Sequence, residues 1–382
     1  MTLPPGIGVH PMKWAEVNLA ALRRNAGTFR RAMGEGVEVM AMVKAGAYGH
    51  GGPPAARALL TGGATWLGVA LPGEALELRQ AGIDAPILVV GWSHPDTHEA
   101  LIRAGVDVTL ADAAGADAVL AAARRAGQPA RVHLKTETGM NRQGLPADEV
   151  PAVLARIAAE PRWLRLAGVF THFADADGAD PGPTERQHER FLPLAAAARE
   201  IEPDVAVHCA NSAAALRFAH TRHGLVRPGI ALYGYLPPHC PPLDVEPAMT
   251  VRALVTQVKT VRAGESVGYG RTWTATADTR VATVAAGYAD GLHRAQSNRG
   301  NLLVHGVRCP ILGRVSMDQV SIDVSVAGDV TAGQSVIIVG GSGGDRLGAD
   351  EVAAVEHTIS YEVLCAVSAR VPRHFVEDRE GT

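Results

Sequence analysis

The sequence predicts an N-terminal (β/α)8 TIM-type barrel followed by a C-terminal, mostly antiparallel β domain. Three observations carry this. Eight short apolar runs alternate with helical patterns over the first two thirds of the chain. Beyond about Tyr235 the runs become β-rich, with close turn signals. A chain of 382 residues is also too long for one ordinary domain unless that domain is a barrel. Repeated βα units in this number favour a closed parallel barrel over an open doubly wound sheet.

The elements follow in order. A helix over 18–33 is capped by Asn18 and carries Leu19, Leu22 and Phe29 on one side. The first strand, 39–43, ends at Lys44. Strands follow at 66–70, 87–90, 106–110, 131–135, 166–170, 205–208 and 225–226, the second and eighth being short. Helical patterns at 74–81, 113–126, 148–159 and 185–200 separate them. Pro237-Pro238-His239-Cys240-Pro241-Pro242 is a stiff connector and marks a boundary. A barrel domain is therefore expected over 15–238 and a β domain over 239–382, with residues 1–14 packing on the latter. In the second domain β runs are expected at 249–261, 280–285, 302–304, 319–324 and 335–339.

A net charge of −3 with no concentrated basic run gives no reason to expect nucleic acid or an anionic membrane as partner, and leaves small uncharged or zwitterionic ligands open. Cys209, Cys240, Cys309 and Cys365 show neither metal-ligand spacing nor a disulfide framework, so no metal is expected and a reducing cytoplasm fits. The N-terminus has no basic region followed by an apolar one, and no stretch is long enough to span a bilayer.

Lys44 ends an apolar strand and opens onto Ala45-Gly46-Ala47-Tyr48-Gly49-His50-Gly51. Desolvation there lowers an amine's pKa toward nucleophilic, Schiff-base use. A lysine snorkelling at a strand end fits the same segment. In such a barrel, side chains leaving the C-terminal strand ends converge on one mouth. That rule gathers Lys44, Lys135, Arg142, His172, Asn211, Ser212 and Arg227. Two lysines, two arginines and a histidine predict an anionic ligand, most simply a phosphate. Asn211-Ser212 and the turn Pro228-Gly229-Ile230 offer a hydroxyl and backbone amides to cradle it. Each residue alone has a plainer reading: Lys135 paired with Glu137, Arg227 with a carboxylate, Ser212 as a helix-cap partner, His172 as a satisfied strand-end histidine. Their common position at one strand end favours the site.

Val43-Lys44-Ala45-Gly46-Ala47-Tyr48-Gly49-His50-Gly51, His133-Leu134-Lys135-Thr136-Glu137-Thr138-Gly139-Met140-Asn141-Arg142, Ala210-Asn211-Ser212-Ala213 and Val226-Arg227-Pro228-Gly229-Ile230-Ala231-Leu232-Tyr233-Gly234 resemble the signature segments of the alanine racemase family. The second domain does so through Val267-Gly268-Tyr269-Gly270, Ala286-Gly287-Tyr288-Ala289-Asp290-Gly291, Gly313-Arg314-Val315-Ser316-Met317-Asp318 and Ser360-Tyr361-Glu362-Val363. The resemblance covers nearly the whole chain in order. It implies a pyridoxal 5'-phosphate enzyme interconverting L- and D-alanine, with D-alanine destined for peptidoglycan, in a cytoplasmic head-to-tail homodimer with shared active sites. Lys44 would hold the cofactor. Tyr48, Ser212, Gly229, Ile230 and Tyr361 would bind its phosphate, and Arg227, with His172 alongside, would face its pyridine nitrogen. Arg142 and Met317 would meet the substrate carboxylate. Lys135 would be carbamylated, orienting Arg142, with Asp318 and Tyr288 in support. Lys44 and Tyr269 of the partner subunit would be the two bases.

Two positions depart from the family: Gly46 stands where asparagine or aspartate is usual, and Glu137 where aspartate is common. The first is expected to loosen the turn after Lys44, the second to lengthen the acid beside Lys135. A decarboxylase of the same plan would need cysteine in place of Tyr269, and a non-catalytic cofactor-binding barrel would lack the β domain. A broad-specificity racemase is the nearest rival, and it usually is exported and lacks the modified lysine.

Overall fold

Runs of valine, isoleucine, leucine and methionine too short for helices form the strands. The computed structural model describes residues 11–342 and 345–377, so of the segment 1–14 expected on the β domain, residues 1–10 lie outside the described residues. The chain opens with β1 (Lys13–Asn18), and then come β2 (Glu38–Met42), β3 (Trp66–Val69), β4 (Ile87–Val89), β5 (Asp107–Leu110), β6 (Ala130–Lys135), β7 (Leu164–Phe170), β8 (Ala206–His208) and β9 (Leu225–Val226). Strands β2 to β9 make one parallel eight-stranded sheet, in the order β8-β7-β6-β5-β4-β3-β2-β9. The pairing of β2 with β9 bends it into a nearly closed barrel. Between β8 and β9 there is no ladder, only an isolated bridge from Asn211 to Arg227. Every residue of β3, β4 and β5 is buried, as expected where helices cover one face of a parallel sheet and packed side chains the other.

The helix Leu19–Met33 and the alanine-rich helix Ala113–Ala126 stand where the sequence pattern puts them. Asp112 caps the latter by accepting from the Gly115 amide at 2.7 Å. Helices Gly52–Thr61 and Pro95–Arg103 escape the pattern because prolines in their first turns read as breakers. A first-turn proline removes only an amide that has no intrahelical acceptor, so it starts a helix as readily as it ends one.

The chain separates into two units: one contains the described residues of Met1–Ala20, Tyr48–His50 and Pro247–Thr382, the other Ala21–Ala47 and Gly51–Glu246. In the first, β10 (Met249–Val261), β11 (Ser266–Val267), β12 (Trp273–Thr274), β13 (Thr279–Val284), β14 (Asn301–Val304), β15 (Val307–Leu312), β16 (Val320–Asp323), β17 (Ser335–Ser342), β18 (Asp345–Leu347) and β19 (Arg373–Val376) follow. The main sheet has the order β18-β17-β14-β15-β16-β13-β10-β1-β19, and β17 also pairs with β10, closing a ring of six strands. Its pairings are antiparallel except for β1 with β19. Strand β1 is hidden in the sequence by its charged positions: Glu16 accepts from Trp14 Nε1 at 2.9 Å and from Arg252 Nε at 3.1 Å. Strand β15 is hidden by Pro310, which breaks the expected pattern of ladder donors.

In the barrel unit the fully buried Tyr233 donates its hydroxyl proton to the Met42 carbonyl at 2.8 Å, tying the turn after β9 to the strand that carries Lys44. Tyr233→Phe is expected to lower the unfolding free energy by about 1 kcal/mol. Urea unfolding measures this, and an unchanged midpoint would mean that Met42 finds another donor.

Candidate active site

Immediately after β2 the backbone takes a left-handed turn. Ala45, Gly46 and Ala47 lie at φ 53°, 60° and 57°, and Tyr48 at φ 53°. Side chains disfavour this region by about 1–2 kcal/mol per residue, glycine excepted. Gly46 therefore suits its place: the entropy it loses on ordering is set against the absence of a Cβ penalty. Glu74 pins the turn, its carboxylate accepting from the Ala45 amide at 2.5 Å and from those of Ala70 and Leu71 at 2.9 and 3.0 Å. Lys44 is half-buried at the head of this turn.

The barrel unit brings Lys44, Lys135, Arg142, His172 and Arg227 into electrostatic range of one another at the strand ends. Arg227 is buried, and its guanidinium makes five hydrogen bonds. Nη1 donates to His208 Nδ1 and to the His208 carbonyl, each at 2.8 Å. Nη2 donates to the Thr171 carbonyl at 2.7 Å, to His172 Nδ1 at 3.2 Å and to the Cys209 carbonyl at 3.3 Å. The carboxylate partner of the plain reading is absent among the described residues. Burial lowers this guanidinium to about 10, so it keeps its charge at neutral pH. Burial, reinforced by Arg227, Arg142, Lys135 and Lys44, holds His172 well below the ordinary histidine range. The ring is neutral and turns its Nδ1 lone pair to Arg227, an assignment set by the donor it faces.

Lys135 is buried, with Nζ 5.9 Å above the centre of the Phe170 ring, and donates to the Gln143 carbonyl. Glu137 turns to the backbone instead, accepting from the Gly139 and Met140 amides at 2.5 and 2.7 Å. Burial, followed by the charges of Arg142 and Arg227, lowers the Lys135 ammonium to about 8 against the pull of Glu137. More of it is neutral amine near pH 7 than in an ordinary lysine. Asn211, not Ser212, caps the short helix Ser212–Arg217, accepting from the Ala214 amide at 3.0 Å. The Ser212 hydroxyl accepts from the Gly229 amide at 2.9 Å, joining the two segments read as an anion cradle; Ile230 follows, buried.

Beneath Arg227 runs a buried chain that the sequence reading did not single out. His208 Nδ1 accepts from Arg227, so its Nε2 carries the proton and donates to His133 Nδ1 at 2.9 Å. His133 Nε2 then donates to Asp107 Oδ2 at 3.0 Å, and Asp107 Oδ1 accepts from Arg131 Nε at 2.9 Å. Burial pushes the Asp107 carboxyl up, but His133 and Arg131 outweigh it and hold it below its usual range. Gly168 makes room, since a Cβ there would stand 2.1 Å from His133 Nδ1. The available signal was Asp107 within Val106-Asp107-Val108 and two histidines inside apolar strands: at period two, they occupy the face that carries Lys135 and Phe170.

In the other unit, Tyr48 and Tyr361 face each other with ring centroids 6.0 Å apart, and Gly49 passes so close to the Leu364 carbonyl that a Cβ would lie 2.4 Å from its oxygen. Tyr269, Tyr288 and Met317 are all exposed, Tyr269 to 73%. They belong to adjoining segments: the Tyr288 and Ala289 amides donate to the Ser316 and Met317 carbonyls at 3.0 and 3.1 Å, and a Cβ on Gly270 would meet the Arg314 guanidinium at 3.2 Å. Asp318 beside them accepts from Arg370 Nη2 at 2.6 Å.

Comparisons with known proteins agree over nearly the whole length. Family models described as alanine racemase N-terminal and C-terminal domains match residues 17–237 and 248–375. The alanine racemase of Desulforamulus reducens is 42% identical over 367 residues, 95% of this chain and 98% of that one. Alanine racemase 1 of Bacillus subtilis is 41% identical over 374 residues, 96% and 93% respectively. Among solved structures, alanine racemase of the D-cycloserine producer Streptomyces lavendulae superposes with a TM-score of 0.90 at 38% identity, covering 97% of this chain and 99% of that one. That of Bacillus anthracis with bound L-Ala-P does so with a TM-score of 0.89 at 36% identity, covering 98% and 97%. No helix among the described residues is long and apolar enough to cross a membrane.

The buried chain gives a direct test. Asp107→Leu leaves the His133 Nε2 proton without an acceptor and is expected to cost about 3 kcal/mol. Asp107→Asn, whose Oδ1 still accepts, is expected to cost less than half as much in equilibrium urea unfolding. Equal losses would show that this hydrogen bond is not what Asp107 contributes.

Proposed function

The chain belongs to the alanine racemase family, and we propose that it interconverts L- and D-alanine with pyridoxal 5'-phosphate anchored on Lys44 at the barrel mouth. The observation that carries the reading is Arg227, a buried cation bonded only to neutral acceptors, at the same strand ends as Lys44. The residues present suit this cofactor. The positive charge of the mouth suits its phosphate and phenolic oxygen, and the Ser212–Gly229 pair suits the phosphate, with Ile230, Asn211, Tyr48 and Tyr361 in the same role. When bound, the cofactor withdraws electrons from the amino acid and acidifies its α-proton.

The protein's part is to hold the ring, orient the substrate, take one proton from Cα and deliver another to the opposite face. Arg227 faces the pyridine nitrogen and, being a very weak acid, leaves it unprotonated, which moderates electron withdrawal and limits side reactions. The neutral His172 beside it adds no competing proton. Arg142 and the backbone of Met317 of the partner subunit receive the substrate carboxylate. Carbamylation of the Lys135 amine, open to carbon dioxide in its neutral fraction, turns a repelling cation into an anion that orients Arg142. Racemisation needs one base on each face of Cα. Lys44 Nζ serves one, and the phenolic oxygen of Tyr269 of the partner subunit serves the other. Exposure of Tyr269, Tyr288 and Met317 in adjoining segments supports a head-to-tail homodimer in which these residues, with Asp318, complete the partner's site. The product, D-alanine, serves peptidoglycan synthesis in the cytoplasm.

Borohydride reduction of the loaded enzyme, followed by peptide mapping, is expected to label Lys44. A label on Lys135 would overturn the assignment. D-Alanine formation from L-alanine should exceed turnover of the other L-amino acids; equal turnover would favour the broad-specificity rival.

Lys44→Ala and Tyr269→Phe are each expected to inactivate, yet to rescue one another when co-folded. A mixed head-to-tail dimer has one site with both defects and one with neither. Random mixing makes about half the dimers mixed, so activity near a quarter of the unaltered enzyme's is expected. No rescue despite mixed dimers would place both bases in one chain.

A further inference from the structure

Three segments of the barrel unit converge on one point, built from side chains that the mouth does not use. The helix Gly182–Ile201 contributes His188, the residue after β8 is Cys209, and His223 lies two residues before β9. His188 and Cys209 are buried and His223 is half-buried. His188 Nε2 stands 3.1 Å from His223 Nε2. One ring nitrogen of each histidine and the Cys209 sulfur all lie within 4.8 Å of one another. On a tetrahedral ion with metal–nitrogen bonds of 2.0–2.1 Å, two imidazole nitrogens are separated by about 3.3 Å. The histidine pair is thus already near that separation, and its close approach requires that at least one ring present a lone pair.

The surroundings match a metal site as well. His220 Nε2 lies 3.0 Å from Glu185 Oε2, and its ring centroid is 5.0 Å from that of His188; Glu185, His188 and His220 form a second set of ligand atoms within 4.8 Å. A carboxylate–histidine pair beside a ligand is a recurrent outer partner of bound metals. His223 is held at φ 44°, a left-handed conformation whose strain the loop sustains. Spacing in the sequence hides the set because its members come from separate segments.

We propose that His188, Cys209 and His223 bind one borderline-soft divalent transition-metal ion of the Zn2+ class, with water or His220 completing a tetrahedron. Cys209 Sγ now donates to the Thr221 carbonyl at 3.1 Å. Binding breaks that S–H bond and the Nε2–H bond of whichever histidine donates in the pair; the thiol proton goes to solvent, the donor ring is reprotonated at Nδ1, and metal–thiolate and metal–imidazole bonds form. The ion is structural: it clamps the helix and the two loops together. Racemisation proceeds without it.

The holoenzyme, stripped with a chelator that leaves the cofactor in place, would be titrated with Co2+ and then with Zn2+. The unaltered protein is expected to take up one Co2+ per chain with the intense visible bands of a tetrahedral site and a sulfur-to-cobalt charge-transfer band, both removed by Zn2+. Zn2+ should also raise the melting temperature. His188→Asn and His223→Asn are each expected to weaken uptake at least about tenfold and to abolish the Zn2+ effect on melting, while racemase activity persists and reports that the variants fold. Should His188→Asn fail to fold, His223→Asn on the half-buried loop carries the same test. Octahedral Co2+ spectra, or uptake and melting shifts unchanged by the variants, would place the ion on other surface groups and overturn the proposal.

Discussion

The structure depends on how a guanidinium is kept charged inside a barrel. Arg227 has no counter-ion among the described residues, so its charge is held by oriented dipoles. Three are carbonyls at the C-terminal ends of β7 and β8, and two are imidazole lone pairs. Such a charge is costly to bury unless every donor finds an acceptor. The same bonds do structural work where the barrel is weakest. Strand β9 has two residues and makes only an isolated bridge toward the β8 side, so the side chain of Arg227 joins segments that lack a ladder. Closing the seam and charging the mouth are one interaction.

Direction in the buried chain follows from that charge. Because Arg227 can only donate, His208 must accept at Nδ1, and each later proton position is then forced as far as Asp107. The carboxylate at the far end supplies the negative charge that the mouth lacks, too far away to neutralise Arg227 and close enough to fix both histidine tautomers. The mouth keeps its positive potential, which reinforces the burial that lowers both His172 and the Lys135 amine. A second anion placed beside Arg227 would have weakened that reinforcement.

The barrel was legible because buried parallel strands read as unbroken apolar runs bounded by turns, and the mouth because strand-end residues must converge. Position at the strand ends groups Lys44, Lys135, His172 and Arg227, and the structure brings them within electrostatic range of one another. The other elements escaped for local reasons. First-turn prolines masked two helices, Pro310 masked β15, and the ion-paired Glu16 masked β1. The plain readings of Lys135 and Arg227 as salt-bridge partners failed for a shared reason: Glu137 is taken by backbone amides, and among the described residues no carboxylate bonds to Arg227. The chain through His208, His133 and Asp107 is hard to see in the sequence because its polar members sit singly within apolar strands. Inside a barrel, a charged residue in such a run must have a partner, so those single residues are the signal.

The turn after Lys44 shows how a departure from a family pattern acquires a physical reading. A loosened turn was the natural expectation for Gly46, since glycine loses the most entropy on ordering. The backbone runs the other way. Four successive residues, Ala45 to Tyr48, lie in the left-handed region, and three of them carry a Cβ that this region disfavours. Their strain is offset by the Glu74 carboxylate on the Ala45 amide and by the Gly51 amide on the Gly46 carbonyl at 2.7 Å. An asparagine at position 46 would tolerate the conformation better than most residues, and glycine tolerates it without a Cβ at all. The substitution therefore trades chain entropy for relief of strain at the centre of the turn. The two terms are each on the order of 1 kcal/mol and oppose each other, so Lys44 can stay at the head of a turn as fixed as its Glu74 anchor makes it.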